Sequence, residues 1–339
     1  MILRQNPDVP TTGHAFPQSD AAAVDRATAA LDAYGTIDVD NPQQAAILSR
    51  IDVLRRRHVG RRGSPMAGLR LSQLSQAGKS HVLKRYIKEL KDRTMLETGT
   101  VNPFQVLYLG LEVRITVKMM CVELLRQMGD PYYNVGNADE VKLRTREFMD
   151  RRGVELAIID EVQHLSTQTH QKVDVTDELK RFLDDGIVPI VFAGNEDSQP
   201  FFERNTQLAS RLGAPLELSA VDTTQESQLL AFDRFCQGLD AAMVAAGCVR
   251  QSSGFREPLI VDVLLRASGG LIGRVCRIVE AALEHAALRD ADFVEAYDLS
   301  YAIDSFAIGQ GYTNANPFPA TIRELRRRAP KIDADDGNL

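Results

Sequence analysis

The sequence predicts an α/β fold, in which a three-layer parallel-sheet domain is followed by a smaller all-helical domain. Two observations lead to this prediction. Between residues 66 and 194, mostly apolar runs typical of buried parallel strands alternate with segments of helical periodicity. Beyond about residue 225 the strand pattern stops, and apolar residues recur only at helical spacing.

Four short apolar runs are the predicted strands, and helical segments separate them. The strand candidates are "MAGLRLSQL" (66–74), "FQVLYLGL" (104–111), "VELAIID" (154–160) and "IVPIVFAG" (187–194). The helical candidates begin with "QQAAILSRIDVLRRRHV", which follows the start signal Asn41-Pro42. The others are "KSHVLKRYIKELKDR", "KMMCVELLRQMG", "ADEVKLRTREFMDRRG" and "VDVTDELKRFLDDG".

Composition narrows the class of protein. The 339 residues are 44% hydrophobic and 25% charged, which is ordinary for a soluble globular chain of two or three domains. The net charge of −6 averages over an uneven distribution, because basic residues crowd the stretch from Arg50 to Arg93. The four cysteines form no C-x-x-C pair, and the sequence shows neither a membrane-length apolar run nor a signal-peptide core. We therefore expect reduced thiols and a cytoplasmic protein.

The segment "QLSQAGKSHVLKRY" (73–86) ends its core like a phosphate-binding loop. Gly78, Lys79 and Ser80 match the end of G-x-x-x-x-G-K-[ST], and they lie between a predicted strand and a predicted helix, as such a loop requires. Gln73 replaces the first glycine, and Gln76 stands where many such loops have another. Glycine suits these positions because it tolerates positive φ, so the glutamines predict a slow ATPase or a disabled one. The predicted nucleotide-binding residues are Gln76, Ala77, Gly78, Lys79, Ser80 and His81.

A second signal is the acid pair in "ELAIIDEVQHL". Asp160 and Glu161 stand at the carboxyl end of a predicted buried strand. The phosphate loop also follows the carboxyl end of a strand, so both would lie at the same edge of the sheet. There Asp160 could hold Mg²⁺ together with the Ser80 hydroxyl, and Glu161 could act as general base towards water. An ordinary acid pair capping a helix is the alternative, but the upstream Gly-Lys-Ser turn favours the nucleotide site.

Three further polar residues are weaker candidates. Asn195 follows the fourth predicted strand, where it could orient water, although Gly-Asn is also a common turn pair. Arg211 precedes a strand-like segment, from which a guanidinium could reach the γ-phosphate of a neighbouring subunit. Arg274 begins a helix of the second domain and could contact phosphate. A surface ion pair for Arg211 and a solvated helix face for Arg274 are the alternatives.

Taken in order, these motifs resemble those of bacterial AAA+ ATPases. The specific segments are "DEVQHL", "DELKRFLDDGIVPIVFAGNEDSQPFFERNTQLASRL" and "GGLIGRVCRIVEAA", and the similarity runs from about residue 40 to 305. More narrowly, they resemble the transposition regulators of the TniB/TnsC group, relatives of the phage protein MuB. The resemblance implies an ATP- and Mg²⁺-dependent protein that assembles as rings or filaments on double-stranded DNA and passes the site to a transposase, with a target-selection protein as a further partner.

The same resemblance implies roles for individual residues. Lys79 and Ser80 would bind phosphate and Mg²⁺, with Asp160 as the metal carboxylate and Glu161 as the water-activating base. The catalytic set would be completed by Asn195 as first sensor and Arg211 as an arginine finger acting in trans. Arg274 would be the second sensor, and Arg204 and Arg277 lie close enough to be rivals for the two arginine roles.

The segment just after the second predicted strand resembles the region of that family where a pore-lining loop and helix begin, and the resemblance implies contact with DNA there. Arg114, Thr116 and Lys118 in "LEVRITVKMMCVELL" are the candidates, and a charged helix start without a ligand is the alternative. The basic run "RRRHVGRR" (55–62) is a rival patch. No base-reading or stacking motif is present in the sequence, so binding without sequence preference is expected.

The predicted organisation is an N-terminal arm (1–40), the AAA+ domain (41–224), a helical lid domain (225–308) and a flexible tail (309–339). The tail segment "NPFPATIRELRRRAP" could dock on a partner or be disordered. Two other functions remain open on the sequence alone. One is an AAA+ switch in another DNA process such as helicase loading, and the other is a scaffold that binds ATP without hydrolysing it.

Overall fold

The computed structural model describes residues 21–72, 76–111, 115–165, 175–199, 202 and 206–319. The chain divides into two compact units. The sheet unit consists of Asp38–Phe235 and Ser268–Val275, and the helical unit of Met1–Ile37, Cys236–Ala267 and Cys276–Leu339. The domain limits predicted from the sequence, at residues 40, 224 and 308, are not tested by this division and stay a prediction. Within the described residues, no helix is both long and apolar enough to cross a membrane.

Among its described residues, the sheet unit contains four parallel strands: β1 (Gly68–Ser72), β2 (Val106–Gly110), β3 (Leu156–Asp160) and β4 (Ile190–Gly194). Their order across the sheet is β1-β4-β3-β2, so β2 is an edge strand. The helices that begin in this unit are α2 (Pro42–His58), α3 (Lys79–Thr98), α4 (Val117–Gln127), α5 (Ala138–Arg151), α6 (Val175–Asp184), the short α7 (Thr206–Ala209) and α8 (Glu226–Ala245). All four predicted strands are confirmed, each shorter than its apolar run.

The two faces of the sheet are buried separately, which makes the unit three-layered. Alternate residues of one strand point to opposite faces. Leu156 and Ile158 pack with residues of α2 and α3, including Ile51 and Leu83. Ala157 and Ile159 belong to a second core formed with α4, α5 and α6. The strand sequences are therefore almost continuously apolar, as the prediction of a doubly covered parallel sheet required.

The strand-like segment after Arg211 does not form a regular strand. It runs beside β1, where Leu212 makes a single parallel bridge with Gly68 and the Leu216 amide donates to the Arg70 carbonyl at 2.8 Å. Pro215, between these contacts, has no amide hydrogen and cannot donate to a ladder. The prediction of a strand there is corrected to an irregular segment at the β1 edge.

The described part of the helical unit starts with α1 (Ala21–Tyr34) and includes α9 (Pro258–Ser268), α10 (Ile272–Leu288) and α11 (Ala296–Ala302), although α9 and α10 each have one end in the sheet unit. A buried carboxylate ties two of its helices together. Asp298 accepts hydrogen bonds from Arg289 at 2.9 and 2.8 Å and lies 2.6 Å from Nδ1 of His285. Burial alone would raise the pKa of Asp298, but these partners lower it. The predicted all-helical character of this part is confirmed.

Candidate nucleotide-binding site

The phosphate-loop candidate joins the end of β1 to the start of α3. Gly78 precedes the first helical residue, Lys79, and has a φ of 96°. Gln76 also adopts a left-handed conformation, with a φ of 65°. Glycine is favoured at such positions because a side chain there crowds the backbone. The described part of the loop, from residue 76 onward, thus has the backbone of a glycine-rich turn, with a glutamine at a left-handed position. Gln73 lies outside the described residues.

Ser80 and Asp160 form the centre of the site. The Ser80 hydroxyl donates a hydrogen bond of 2.8 Å to Oδ2 of Asp160, which is 2% exposed at the end of β3. The Tyr108 hydroxyl donates to the same oxygen, and the Glu161 amide donates to Oδ1 at 2.9 Å. Burial and the contact with Asp160 raise the pKa of Tyr108, so its hydroxyl stays protonated. A hydroxyl and a carboxylate this close are an oxygen donor set that fits Mg²⁺.

Lys79 lies buried beside these acids. Its side chain is at the first position of α3, and the residue is only 7% exposed. Burial lowers the pKa of Lys79, while the nearby charges of Glu161, Asp160 and Glu196 act to raise it. A partly desolvated ammonium group gains more from an added anion than one in water does. The buried ammonium group of Lys79 therefore favours an anionic ligand.

Glu161 is held by a side chain that the sequence analysis did not single out. Its backbone is left-handed, with a φ of 59°, and Gln163 Nε2 donates a hydrogen bond to its carboxylate. Oε1 of Gln163 accepts from the Asn195 amide at 3.4 Å. The Asn195 side chain accepts from the Asp197 amide at 3.1 Å and so begins a short 3₁₀ turn. Gln163 thus connects the ends of β3 and β4.

The first turn of α10 approaches the loop within the sheet unit. A Cβ placed on Gly273 would lie 2.3 Å from the Gln76 carbonyl oxygen and 2.6 Å from the Gly78 amide nitrogen. Only glycine permits this approach, since both neighbours are backbone atoms. Arg274, the next residue, belongs to the same unit, and its amide donates to Leu271 O at 3.0 Å. The turn that begins α10 therefore adjoins the predicted nucleotide pocket.

Arg211 lies at the amino ends of the strands, opposite the carboxyl ends where the phosphate loop lies. Its carbonyl accepts from the Gly68 amide at 3.0 Å, at the start of β1, whereas the phosphate loop follows the end of that strand. Five strand residues at about 3.3 Å each separate the two edges. The guanidinium pairs with Asp184 at 2.5 Å and is partly exposed. Arg211 is therefore placed away from the pocket of its own subunit.

The remaining predicted residues have contacts of their own. The ring of His81, half exposed, lies 3.2 Å from an oxygen of Asp38. The hydroxyl of Thr116 caps α4 by accepting from the Met119 amide at 3.3 Å. Lys118 donates to the carbonyl of Gly136 at 2.8 Å. Arg114, the third DNA candidate, and Arg204, the rival arginine, lie outside the described residues.

Part of the basic run at 55–62 makes contacts inside the protein. Arg55 is buried and pairs with Asp52 and Glu155, and Asp52 also accepts from Arg56 at 2.7 Å. Arg62 donates to three backbone carbonyls, those of Ile187, Met149 and Val154. Two arginines of this run therefore stabilise the fold around the amino ends of β3 and β4, and only part of the run is available to a partner.

Three residues of the site were missed by the sequence analysis: Tyr108, Gln163 and Gly273. Gln163 lies inside the quoted motif "DEVQHL", so its proximity to the acids was a signal that could have been used. Gly273 also lies inside a quoted segment, but its closeness to the loop depends on the tertiary fold. Tyr108 carries the polar hydroxyl in the otherwise apolar strand sequence "VLYLG", and this difference could have identified it as a candidate.

Comparisons with known proteins agree with this architecture. A model of the family described as "Bacterial TniB protein" matches residues 39–220. A search among curated protein sequences gave no match. Among solved structures, the Aeropyrum pernix ORC1 protein in complex with DNA is 17% identical with a TM-score of 0.55, covering 79% of this chain and 66% of that one. Drosophila ORC bound to DNA is 14% identical with a TM-score of 0.54, covering 89% and 69%.

A third similar structure is the Aeropyrum pernix ORC2 protein in ADPNP-ADP complexes, 16% identical with a TM-score of 0.53, covering 76% of this chain and 67% of that one. The chain thus spans about two thirds of the length of these structures. At such identities the likeness shows the fold, which is that of AAA+ ATPases. Because the family model matches more than half of the 339 residues, the chain belongs to the TniB family.

Proposed function

We propose that this chain is an ATPase that assembles on double-stranded DNA in its ATP-bound form and recruits or activates a transposase. The observation that carries the ATPase part is the contact between Ser80 and Asp160. It brings the end of the phosphate-loop motif and the acid pair to one edge of the sheet. The remaining parts rest on membership of the TniB family and on the resemblance described above.

The reaction proposed is hydrolysis of ATP to ADP and inorganic phosphate. Lys79 would bind the β- and γ-phosphates through its buried ammonium group. Ser80 and Asp160 would hold Mg²⁺, which when bound neutralises charge on those phosphates. The attacking water gives its proton to the Glu161 carboxylate as the new oxygen–phosphorus bond forms and the bond to ADP breaks. Gln163 and Asn195 would orient this base and the water.

The position of Arg211 supports an assembly of several subunits. Since it lies at the edge of the sheet away from its own phosphate loop, its proposed action is on the γ-phosphate of a neighbouring subunit. To do so it would exchange Asp184 for phosphate, and both are anions that a guanidinium binds well. Arg274 would contact phosphate in the same subunit, beside Gly273 and the loop.

DNA as a partner is supported by the family and by the two similar structures whose proteins were solved with DNA. Those likenesses are of fold, so the choice of double-stranded DNA and of a transposase belongs to the proposal. Thr116 and Lys118 each have an internal contact in this structure. Their proposed contact with phosphates would require these bonds to be exchanged.

One observation favours the scaffold as a second candidate. Gln76 occupies a left-handed position that usually carries glycine, and a distorted loop could bind ATP without turning it over. The two candidates make the same prediction for assembly and different predictions for phosphate release.

The test is negative-stain imaging of the protein with linear duplex DNA, with and without ATP or a non-hydrolysable analogue, beside Lys79→Ala. Nucleotide-dependent rings or filaments on DNA that Lys79→Ala fails to form would support the proposal. Assembly that ignores nucleotide and Lys79 would contradict it, and so would the absence of any DNA association. Phosphate release in the same samples separates the ATPase from the scaffold.

A further inference from the structure

The exposed face of α3 borders a shallow groove next to the edge of the sheet. Three lysines and Ile87 of α3 line it together with Tyr108 of β2, and the lysines are Lys84, Lys88 and Lys91. All three lysines are exposed. Their spacing of four and three residues places them on one side of the helix. Because β2 is the last strand in the order of the sheet, no further strand among the described residues covers this side.

The charge of the groove is positive after its own acids are counted. Lys88 pairs with Asp38 at 3.0 Å, and Asp92 lies on the rim. Asp38 is also 3.2 Å from His81, so it is shared between two partners. Within the described residues, Lys84 and Lys91 have no ion pair. Two cations of the groove are therefore available to an anionic ligand.

The geometry of the lysines suits a phosphate backbone. Lys91 follows Lys84 by seven positions in α3, which is a rise of about 10 Å at 1.5 Å per residue. Successive phosphates of one DNA strand rise about 3.4 Å along the duplex axis, so the row matches about three of them. Lysine is a flexible point charge with no bidentate geometry, which suits binding without base recognition.

The groove also adjoins the candidate metal site. Tyr108 lines the groove, and its hydroxyl donates to Oδ2 of Asp160, the oxygen that Ser80 also contacts. The segment that contains Arg114 and Thr116 comes directly after β2 in the chain. The groove and the predicted DNA segment are thus connected through one edge strand.

We propose that this groove between α3 and the β2 edge binds the phosphate backbone of double-stranded DNA, with Lys84 and Lys91 as the principal contacts and Lys88 as a third once it leaves Asp38. The inference rests on the proposed function. It assigns the DNA contact to a helix face that the sequence analysis had treated only as part of a basic stretch.

The test measures binding of a fluorescent duplex of about three helical turns by anisotropy, with a non-hydrolysable ATP analogue, over a series of KCl concentrations. Wild type is compared with the double variant Lys84→Gln/Lys91→Gln. The matched control is Arg57→Gln/Arg61→Gln, which removes two exposed charges from the basic run. Binding of the ATP analogue is measured for each protein and is expected to be the same, since none of these residues belongs to the proposed nucleotide site.

Each lost phosphate contact reduces the slope of log affinity against log salt by about 0.9. We expect the lysine variant to have a slope shallower by about 1.8 and a weaker affinity at low salt, while the arginine control keeps the wild-type slope. An unchanged slope in the lysine variant, with normal wild-type binding, would overturn the assignment of DNA binding to the groove and leave the proposed function standing. Failure of the wild type to bind DNA would overturn both.

Labelled poly-glutamate provides the remaining arm of the test. If the lysine variant binds DNA as wild type does but loses binding to poly-glutamate, the groove belongs to acidic protein segments and the DNA assignment is wrong. Poly-glutamate binding that is weak and equal in both proteins, together with the expected change in salt slope, supports the duplex.

Discussion

The Ser80 hydroxyl donates a hydrogen bond of 2.8 Å to Asp160, although eighty positions separate the two residues in the chain. The contact exists because the loop after β1 and the end of β3 reach the same edge of a parallel sheet. In the strand order β1-β4-β3-β2, β4 lies between β1 and β3, so Asn195 at the end of β4 reaches the same edge. A shared edge explains why polar residues scattered through the sequence come together.

The Gln76→Gly substitution tests whether the glutamine restrains the loop. A left-handed conformation costs a residue with a side chain roughly 1–2 kcal/mol. Glycine relieves that cost, but its greater conformational entropy stabilises the unfolded chain by about 0.4–1 kcal/mol. We therefore expect thermal stability to change little and ATP turnover to rise several-fold. Gln76→Ala, which keeps a Cβ, is the matched control and should not gain turnover. Equal rates in all three proteins would show that the glutamine does not limit the reaction.

The Gln163→Ala substitution tests the link between Glu161 and Asn195. Loss of the amide lets the Glu161 carboxylate rotate away from the attacking water, so kcat should fall about tenfold while the Kd for ATP stays constant. Gln163→Glu gives a second readout. A second carboxylate there cannot donate a hydrogen bond to Glu161 and repels it, so kcat should fall at least as far as in Gln163→Ala. An unchanged kcat in both variants would exclude a positioning role.

The extent to which the sequence predicted this site depends on the kind of contact. The proximity of Lys79, Ser80, Asp160 and Glu161 was predictable because each lies near the end of an apolar strand and strand ends in a parallel sheet converge, while their roles stay a prediction. The irregular path after Arg211 was not predicted, because the apolar pattern "APLEL" resembles a strand although Pro215 cannot complete a ladder. The approach of Gly273 depends on how α10 packs, which no local pattern records.

The Gly273→Ala substitution tests the contact between α10 and the phosphate loop. The new Cβ would meet two backbone atoms at 2.3 and 2.6 Å, so either the loop or the helix must shift. This shift would displace Gly78 and Arg274, so we expect the Kd for ATP to rise about tenfold, with a smaller effect on the melting temperature. Gly309→Ala, where the nearest atom would lie 3.5 Å away, is the control and should behave as wild type. Normal ATP affinity in Gly273→Ala would mean that the loop tolerates the displacement.

Mixing two inactive variants tests whether Arg211 acts on a neighbouring subunit. Arg211→Ala should bind ATP normally and fail to hydrolyse it, because the pocket residues of each subunit are intact but no neighbour supplies the arginine. Lys79→Ala should neither bind ATP nor assemble by itself, but within an assembly formed with ATP-bound Arg211→Ala it still supplies Arg211. We expect the mixture to recover part of the phosphate release on duplex DNA. Recovery in a mixture with Arg204→Ala in place of Arg211→Ala would instead favour that rival, and full activity of Arg211→Ala alone would contradict the assignment.

The most direct test of the central claim, that this glutamine-bearing loop is a working ATPase site, is phosphate release at saturating Mg·ATP with duplex DNA present. Wild type, Lys79→Ala and Glu161→Gln are compared, and binding of ATP is measured in parallel. We predict slow turnover by wild type, no turnover by either variant, and loss of ATP binding only in Lys79→Ala. ATP binding by wild type with no phosphate release above that of Glu161→Gln would contradict the claim and make the protein a nucleotide-bound scaffold.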